Sequence, residues 1–214
     1  RMGRAGAQWL RMATLIGLAV FVPLLLLLWQ TLMLYPNDYS PGNLTLHYWI
    51  GKGQTALAEG ESGILRNVQI LGAAWNSIRL SVIVALITGM MGILIGYAVV
   101  RGRKTKLAVV LEQGSFLPYL IPSIAFGAIY LALFSRSIGP LPPLYGTFLL
   151  LVLVCVAKNL PFSARSGISS MMQVAGELEE AGMMAGANWL QRFRRIILPL
   201  TLAGSLSGFI LAFI

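Results

Sequence analysis

Charge is scarce along this chain. Of its 214 residues only 11% are acidic or basic and 57% are hydrophobic, whereas an ordinary soluble domain carries about 25% charged residues. Together with a mean hydropathy of +0.78, this excludes an ordinary water-soluble fold and puts the chain in a bilayer. There is one cysteine and one histidine. A lone Cys155 excludes an internal disulfide and a cysteine-based zinc cluster, and its place inside an apolar run reads as a small buried side chain. The few acidic residues form no constellation with histidine on one face near either interface, which leaves a membrane enzyme without support. Around Pro23, Ile87, Ala125 and Leu150, in the apolar runs, the neighbours are apolar or small. An ion-coupled secondary transporter or channel, the competing functional class, usually needs ionisable groups at such depths.

What charge there is has a strong bias, with a formal net value of +9. The basic residues are not gathered into one aromatic-interleaved patch, so a nucleic-acid partner is not expected. They stand instead at the ends of apolar runs, where they set topology against a lipid membrane.

Those runs predict an all-α polytopic bundle of about five spans over one domain, residues 1–214. Arg1, Arg4 and Arg11 precede 12–34, a run of 23 residues that would rise about 34 Å as a helix. Its end in Trp29, Leu32 and Tyr35 favours a membrane span over a cleaved signal peptide, and Pro23 is expected to kink it. The second span is 71–100, with Arg79 near its start, free to snorkel, and a stripe of Gly89, Gly92 and Gly96 suited to close helix packing. The third, 107–134, carries Pro118 and Pro122 one turn apart. Carbonyls freed by prolines are tolerated in a membrane only where protein or a water-filled cavity satisfies them. Pro118 and Pro122 therefore mark either a wall of a solute pathway or a kink that serves packing. A fourth span at 144–160, closed by Pro161, and a fifth at 197–214 complete the set. The chain starts at Arg1 and its last apolar run reaches Ile214 with no polar flank, so a fragment of a longer protein is expected.

The connection from Tyr35 to Ile70 is rich in turn formers and carries Glu59 and Glu61. His47, Tyr48 and Trp49 within it read as an aromatic belt rather than a metal site, since no second ligand has suitable spacing. The GKGQT stretch at Gly51 lacks the leading glycine and the final Ser or Thr of a nucleotide loop, and the Asn43-Leu44-Thr45 sequon carries little weight. Basic residues alternate as a membrane topology requires. Twelve fall on the expected inner side, among them Arg101, Arg103, Lys104, Lys106, Lys158 and Arg165, against Lys52, Arg66 and Arg136 outside. The N-terminus and the segment 161–196 come out on the inner side.

That segment holds the most informative residues. Ser170 with Gln173 offers a capping box, and Glu177, Glu179 and Glu180 give the helix after it an acidic first turn. Ala181, Gly182, Met183, Met184 and Ala185 then make a surface of small and adaptable side chains suited to docking. Gly186, before Ala187, allows a change of direction, and from Asn188 to Ile197 helical spacing resumes, with Trp189, Phe193 and Ile197 on one face and arginines at the flanks. Pro199 opens the next apolar run. The outcome is a helix, a bend and a helix; the plainer alternative is an amphipathic loop lying on the lipid surface.

Glu180, Ala181, Gly186, Ile196, Leu198 and Pro199 stand at the spacings of the EAA signature, and the segment resembles that of inner-membrane permease subunits of binding-protein-dependent ABC importers. Gly182 departs from the signature, replacing its second alanine. The resemblance implies that Glu180, Ala181, Gly182, Gly186, Ala187, Ile196, Leu198 and Pro199 dock a separate ATPase dimer that holds ATP and magnesium, while this chain binds no cofactor. It implies a bacterial inner-membrane location, a second permease half or chain, an external solute-binding protein, and rigid-body coupling of the elbow to the bundle. The run from Leu144 through the elbow is most similar to ferric-iron permeases, so iron(III) is the substrate this resemblance favours.

Overall fold

The computed structural model describes residues 4–53, 60–103 and 105–213, leaving aside the side chains of residues 4–11 and 13. Arg1, Gln54, Thr55, Glu59, Lys104 and Ile214, all used above, lie outside the described residues, as do the side chains of Arg4 and Arg11. Among the described residues the regular structure is helical, with isolated bridges between Met33 and Leu44 and between Ile138 and Leu141. The chain divides into two compact units, residues 1–76 and 77–214.

In the first unit, helix α1 (Arg4–Thr31) carries Pro23 internally and leaves its leucines exposed all round, as a helix solvated by lipid would. The polar connection after it is ordered by Asn43, which is buried. Its side chain accepts from the Tyr35 amide at 2.9 Å and donates to the Tyr35 and Asp38 carbonyls at 2.8 and 2.7 Å. The Asn43 amide group is thus fully engaged. The backbone amide of Ser40 donates to Asp38 and holds that carboxyl below its usual range. Short helix α2 (His47–Ile50) presents Tyr48 and Trp49, which donate to the Leu34 carbonyl at 2.9 Å and the Thr31 hydroxyl at 3.1 Å. These aromatics tie the connection to the end of α1.

In the second unit three helices pack through small residues. Helix α3 (Val68–Arg101) crosses α6 (Phe148–Met172) with Gly92 and Gly96 on the backbone of Ser163 and Gly167, so closely that a Cβ on any of these three glycines would overlap the facing main chain. The glycine stripe read in the sequence is this crossing. On α6, Ser163 and Ser166 also meet α9 (Leu198–Phe213) at Gly208, and Ser170 meets it at Gly204. The Ser166 hydroxyl lies 2.9 Å from that of Ser207 and donates to the Gly204 carbonyl at 3.2 Å. Small side chains let backbones approach, and their hydroxyls find carbonyls across the gap, which is how helices associate where water supplies no hydrophobic drive.

Several expected boundaries move. Span three is not one helix from 107 to 134: α4 (Lys106–Leu120) and α5 (Ser123–Phe134) meet at a bend of 103°. Pro122 cannot donate to the Pro118 carbonyl and its ring excludes the preceding residue from helical geometry, so the chain breaks at Ile121. Span four does not end at Pro161, which lies inside α6; the helix runs on to Met172 and places Lys158 eleventh of its 25 residues. Lys158 is therefore mid-helix rather than an inner-end marker. Among the described residues four helices are long and apolar enough to cross a membrane, or five with the bent pair as one crossing.

The contacts also order the helices. Arg79 lies over the Phe148 ring at 4.2 Å, Gly92 on Ser163, Gly96 on Gly167, and Arg101 donates to the Val174 carbonyl. Successive positions of α3 thus meet successive positions of α6, so the two run parallel and α9 runs antiparallel to both. Arg79 is exposed and its guanidinium lies over that aromatic face. The bent pair and the connection after it carry the chain from the C-terminal end of α3 back to the level of Arg79, which is the work of a crossing.

Candidate functional site

The segment between α6 and α9 forms at the end of the bundle that also holds the C-terminus of α3. Helix α7 (Gly176–Met184) has Ala175 at its N-cap with no side-chain cap; Ser170 and Gln173 belong to the end of α6, where the Ser170 hydroxyl donates to the Ser166 carbonyl at 2.8 Å. The expected capping box is absent there because α6 continues about three turns longer than its proline suggests. A capping box exists at the next helix instead. The Asn188 side chain accepts from the Gln191 amide at 2.9 Å, and Gln191 reaches back to the Asn188 amide at 2.8 Å, opening α8 (Trp189–Arg192).

Gly186 makes the bend. Its φ of +78° is left-handed, and the Gly186 and Ala187 amides donate to the Met183 and Gly182 carbonyls at 2.9 and 3.0 Å. This pair of bonds closes a helix in the Schellman manner. The second helix does not stop before the fifth span. It continues from Trp189 to Phe213 through a widened turn, Phe193–Ile197, in which the Leu198 amide donates to the Phe193 carbonyl five residues back. Pro199 has no N–H for the turn before it and its ring crowds the carbonyl of Arg195; the wide turn makes room. The second helix of the elbow and α9 are therefore continuous.

One face of the elbow is fastened to the bundle. Phe193 and Ile197 are buried with Ile93, Met171 and Val174, and Tyr97 packs against this cluster. Trp189 stacks on Phe193 with ring centres 5.3 Å apart, and Tyr97 meets both edge-on. Among these rings sits Glu179, only 8% exposed. It accepts from the Tyr97 hydroxyl at 2.7 Å and from Arg101 Nε at 3.0 Å, while Arg192 Nε approaches at 3.9 Å without a hydrogen bond. Arg101 also donates to the Val174 carbonyl at 3.3 Å, and Arg192 to the Ala187 carbonyl at 2.8 Å. A buried carboxylate held this way ties three elements together: α3, α7 and α8.

The other face is open. Glu180, Ala181, Met183, Ala185 and Gly186 are exposed, and Met184 is 90% exposed. Of the residues assigned to docking from the sequence, Glu180, Ala181 and Gly186 are exposed on this outer side; Ala187 is half-buried, Ile196 is half-buried beside Gly182, Leu198 packs against the buried cluster, and Pro199 is exposed. Gly182 is half-buried for a stated reason: a Cβ there would stand 2.9 Å from Ile196 Cδ1 and 3.3 Å from Arg192 Cγ and Cδ. The glycine that departs from the signature accommodates the arginine that reaches Glu179.

Sequence reasoning missed Glu179, Tyr97 and Arg101. A signal was present: Gly176 and Gly182 flank Glu179 at three residues on either side, marking that face of α7 as the one approached by other groups. It was illegible beforehand because two adjacent glutamates look alike until the partner face is known.

The proline pair has its own partner. Lys158 Nζ donates to the Ile121 and Pro118 carbonyls at 3.0 and 3.3 Å and stands 5.5 Å from the Phe126 ring centre. The Pro118 carbonyl is the one that Pro122 cannot serve, and the lysine takes its place. No carboxylate lies within 4 Å of Lys158 among the described residues. Nor do the described residues bring together three or more histidine, cysteine or acidic side chains that could hold a metal ion.

Comparison with known proteins agrees with this anatomy. Residues 89–214, from the middle of α3 through the elbow and α9, match the family model described as binding-protein-dependent transport system inner membrane component. Similar proteins include the ferric transport system permease protein FbpB of Actinobacillus pleuropneumoniae, 28% identical over 65% of this chain and 20% of that protein. The sulfate transport system permease protein CysW of Escherichia coli is 28% identical over 67% and 53%, and the trehalose transport system permease protein SugB of Mycobacterium tuberculosis 30% identical over 75% and 56%. The chain thus matches about a fifth of the ferric protein's length and just over half of the other two. With the match running through the elbow and the helices that carry it, the chain belongs to the inner-membrane components of binding-protein-dependent transport systems.

Proposed function

We propose that this chain is the membrane-spanning, non-enzymatic part of an ATP-driven importer, and that its elbow receives force from a separate ATPase dimer that holds the ATP and magnesium. The observation that carries this is the two-sidedness of α7. Glu179 and Gly182 bind the elbow inward to α3 and α8, while Glu180, Ala181, Met183 and Met184 leave a small, adaptable and uncovered surface outward. A lever needs both a grip and a contact. Because Trp189 to Phe213 is one helix with a single wide turn, displacement of that surface moves α9 and, through its serine and glycine contacts, α6.

In this reading the elbow faces the cytoplasm of a bacterial cell, the N-terminus of the chain lies on the same side, and the solute passes between this bundle and a second permease half or chain after delivery by an external binding protein. The parallel course of α3 and α6 supports counting the bent pair as one crossing. With that count the basic clusters at Arg101–Lys106 and Arg192–Arg195 fall on one side and Arg136 on the other, in keeping with the charge rule. For the ion-coupled alternative the ionisable group nearest the middle of α6 is Lys158, and its amine is engaged by two carbonyls. Iron(III) is the substrate to which the ferric relatives point, but sulfate and trehalose relatives at like identity leave family membership without power to select it. Uptake of labelled iron(III) against labelled sulfate by the intact system would decide.

The coupling test is Glu180→Lys in the full assembly, reconstituted in vesicles. Membrane insertion should be unchanged and substrate-stimulated ATP hydrolysis should fall about tenfold, the loss expected for one charged contact of about 1.4 kcal/mol. Hydrolysis at the level of the unaltered assembly would overturn the elbow reading.

A further inference from the structure

A cavity of about 400 Å³ opens at the elbow end of the bundle, beside the end of α3 and between α4 and α6. Its wall includes Arg103, Arg165, Glu112, Ser169, Val109 and Phe116. Two guanidinium groups in one cavity would ordinarily be matched by carboxylates, yet neither has one within 4 Å among the described residues. Arg103 donates to the sulfur of Met172 at 3.0 Å, a weak acceptor. Arg165 lies over the Phe116 ring at 4.6 Å. A stacked guanidinium uses its face and keeps its N–H edge, the part that recognises a phosphate group in fork geometry, for another partner.

The cavity has the polarity of an interfacial lipid site. Arg103 lies just beyond α3, while Arg165 is seven residues before the end of α6, about 10 Å farther into the bundle. Val109 and Phe116 of α4, with Glu112 between them, and Ile168 of α6 continue the wall, so its apolar part comes from both helices. A free oxyanion would use the arginines alone, whereas a phospholipid would use the arginines for its phosphate and the apolar wall for its chains. Basic pockets between helices at such a level are suited to anionic headgroups. We propose that this cavity binds the phosphate group of an anionic phospholipid, with Arg103 and Arg165 as its ligands and Glu112 as a carboxylate that limits its affinity. The site shares with the transport reading only the membrane placement of the bundle, and it does not depend on the ATPase or on the solute.

The full chain, purified in a neutral detergent, is titrated with phosphatidylglycerol, with phosphatidylcholine of the same acyl chains and, separately, with inorganic phosphate. Bound species are counted by native mass spectrometry. Phosphatidylglycerol should be retained at least tenfold better than phosphatidylcholine, and the Arg103→Gln/Arg165→Gln variant should lose that preference. Glu112→Gln removes the opposing charge and should tighten phosphatidylglycerol several-fold, an independent arm should the double variant fail to fold. Equal retention of both lipids, undiminished retention by the double variant, or weaker retention by Glu112→Gln overturns the site. Binding of inorganic phosphate without retention of either lipid overturns the lipid as its source. Because hydrolysis by the ATPase is not read here, failure of this site and failure of the coupling elbow are distinguishable.

Discussion

The crossing of α3 with α6 and the grip of the elbow on α3 are both places where helices are locked together, but they are locked by opposite means. At the crossing the side chains almost vanish, and Gly92, Gly96 and Gly167 bring main chain against main chain. At the elbow the contact is crowded with large groups: Trp189, Phe193, Tyr97 and a glutamate between two arginines. A glycine contact has one geometry and tolerates almost no displacement. A network of long side chains around a carboxylate holds position while its members rotate, which suits the moving part that we propose the elbow to be. The crossing is fixed by backbone and the elbow by side chains.

Enlarging one glycine should show the strongest contrast. Gly167→Leu would drive a side chain into the α3 main chain and is expected to cost about 3 kcal/mol or more, seen as loss of the folded full chain from membranes and a lowered melting temperature in detergent. If the bundle accepts the leucine, the crossing is looser than described.

Removing the arginine from the elbow comes next. Arg101→Leu leaves Glu179, 8% exposed, without its closest cation and should cost about 2–4 kcal/mol. Tyr97→Phe removes one hydrogen bond to a charged acceptor and should cost about 1.5 kcal/mol. Melting temperatures of the two variants should keep that order, and the reverse order would mean that the rings rather than the charge hold the grip.

The bend between α4 and α5 combines the two modes, since a backbone break is capped by a side chain. Lys158→Met should cost about 1–2 kcal/mol where Pro122 is present and less where Pro122→Ala restores an N–H for the Pro118 carbonyl. Spin labels at the exposed Val110 and Ile129 should move apart in the double variant, as the span straightens, and stay in place with Pro122→Ala alone. Equal costs in both backgrounds would remove the lysine from the bend.

The smallest effect is expected at Gly182→Ala. Alanine gains about 1 kcal/mol of helix propensity, but its methyl must displace the tip of Ile196, 2.9 Å away. The two should nearly cancel, leaving the melting temperature within a few degrees, whereas a large drop would show that Arg192 cannot shift.

Much of the candidate site could be read from residue order because its determinants are local. Gly186 at a left-handed φ, Asn188 beginning a helix, and the small face from Ala181 to Ala185 each express their preference within a turn or two. The small-residue stripe at Gly92 and Gly96 was visible in the same way, although its partner was not. Pro161 misled because a proline inside a long apolar helix can be carried by its neighbours, and it is fully buried where α6 is enclosed by other elements. Lys158 was misplaced for the same reason: a helix ending at 160 makes it a boundary charge, and one ending at 172 makes it a bridge to α4.

Composition and periodicity by themselves determined that this chain is a bundle of apolar helices with a helix–bend–helix between the last two, since scarcity of charge and helical spacing act through the solvent and through nearest neighbours. Tertiary structure alone decided which glutamate turns inward, what fills the space above Gly182, and which donor replaces the one missing at Pro122. Those choices depend on groups tens of residues away, and a buried carboxylate or an unserved carbonyl acquires its partner only when the helices have come together.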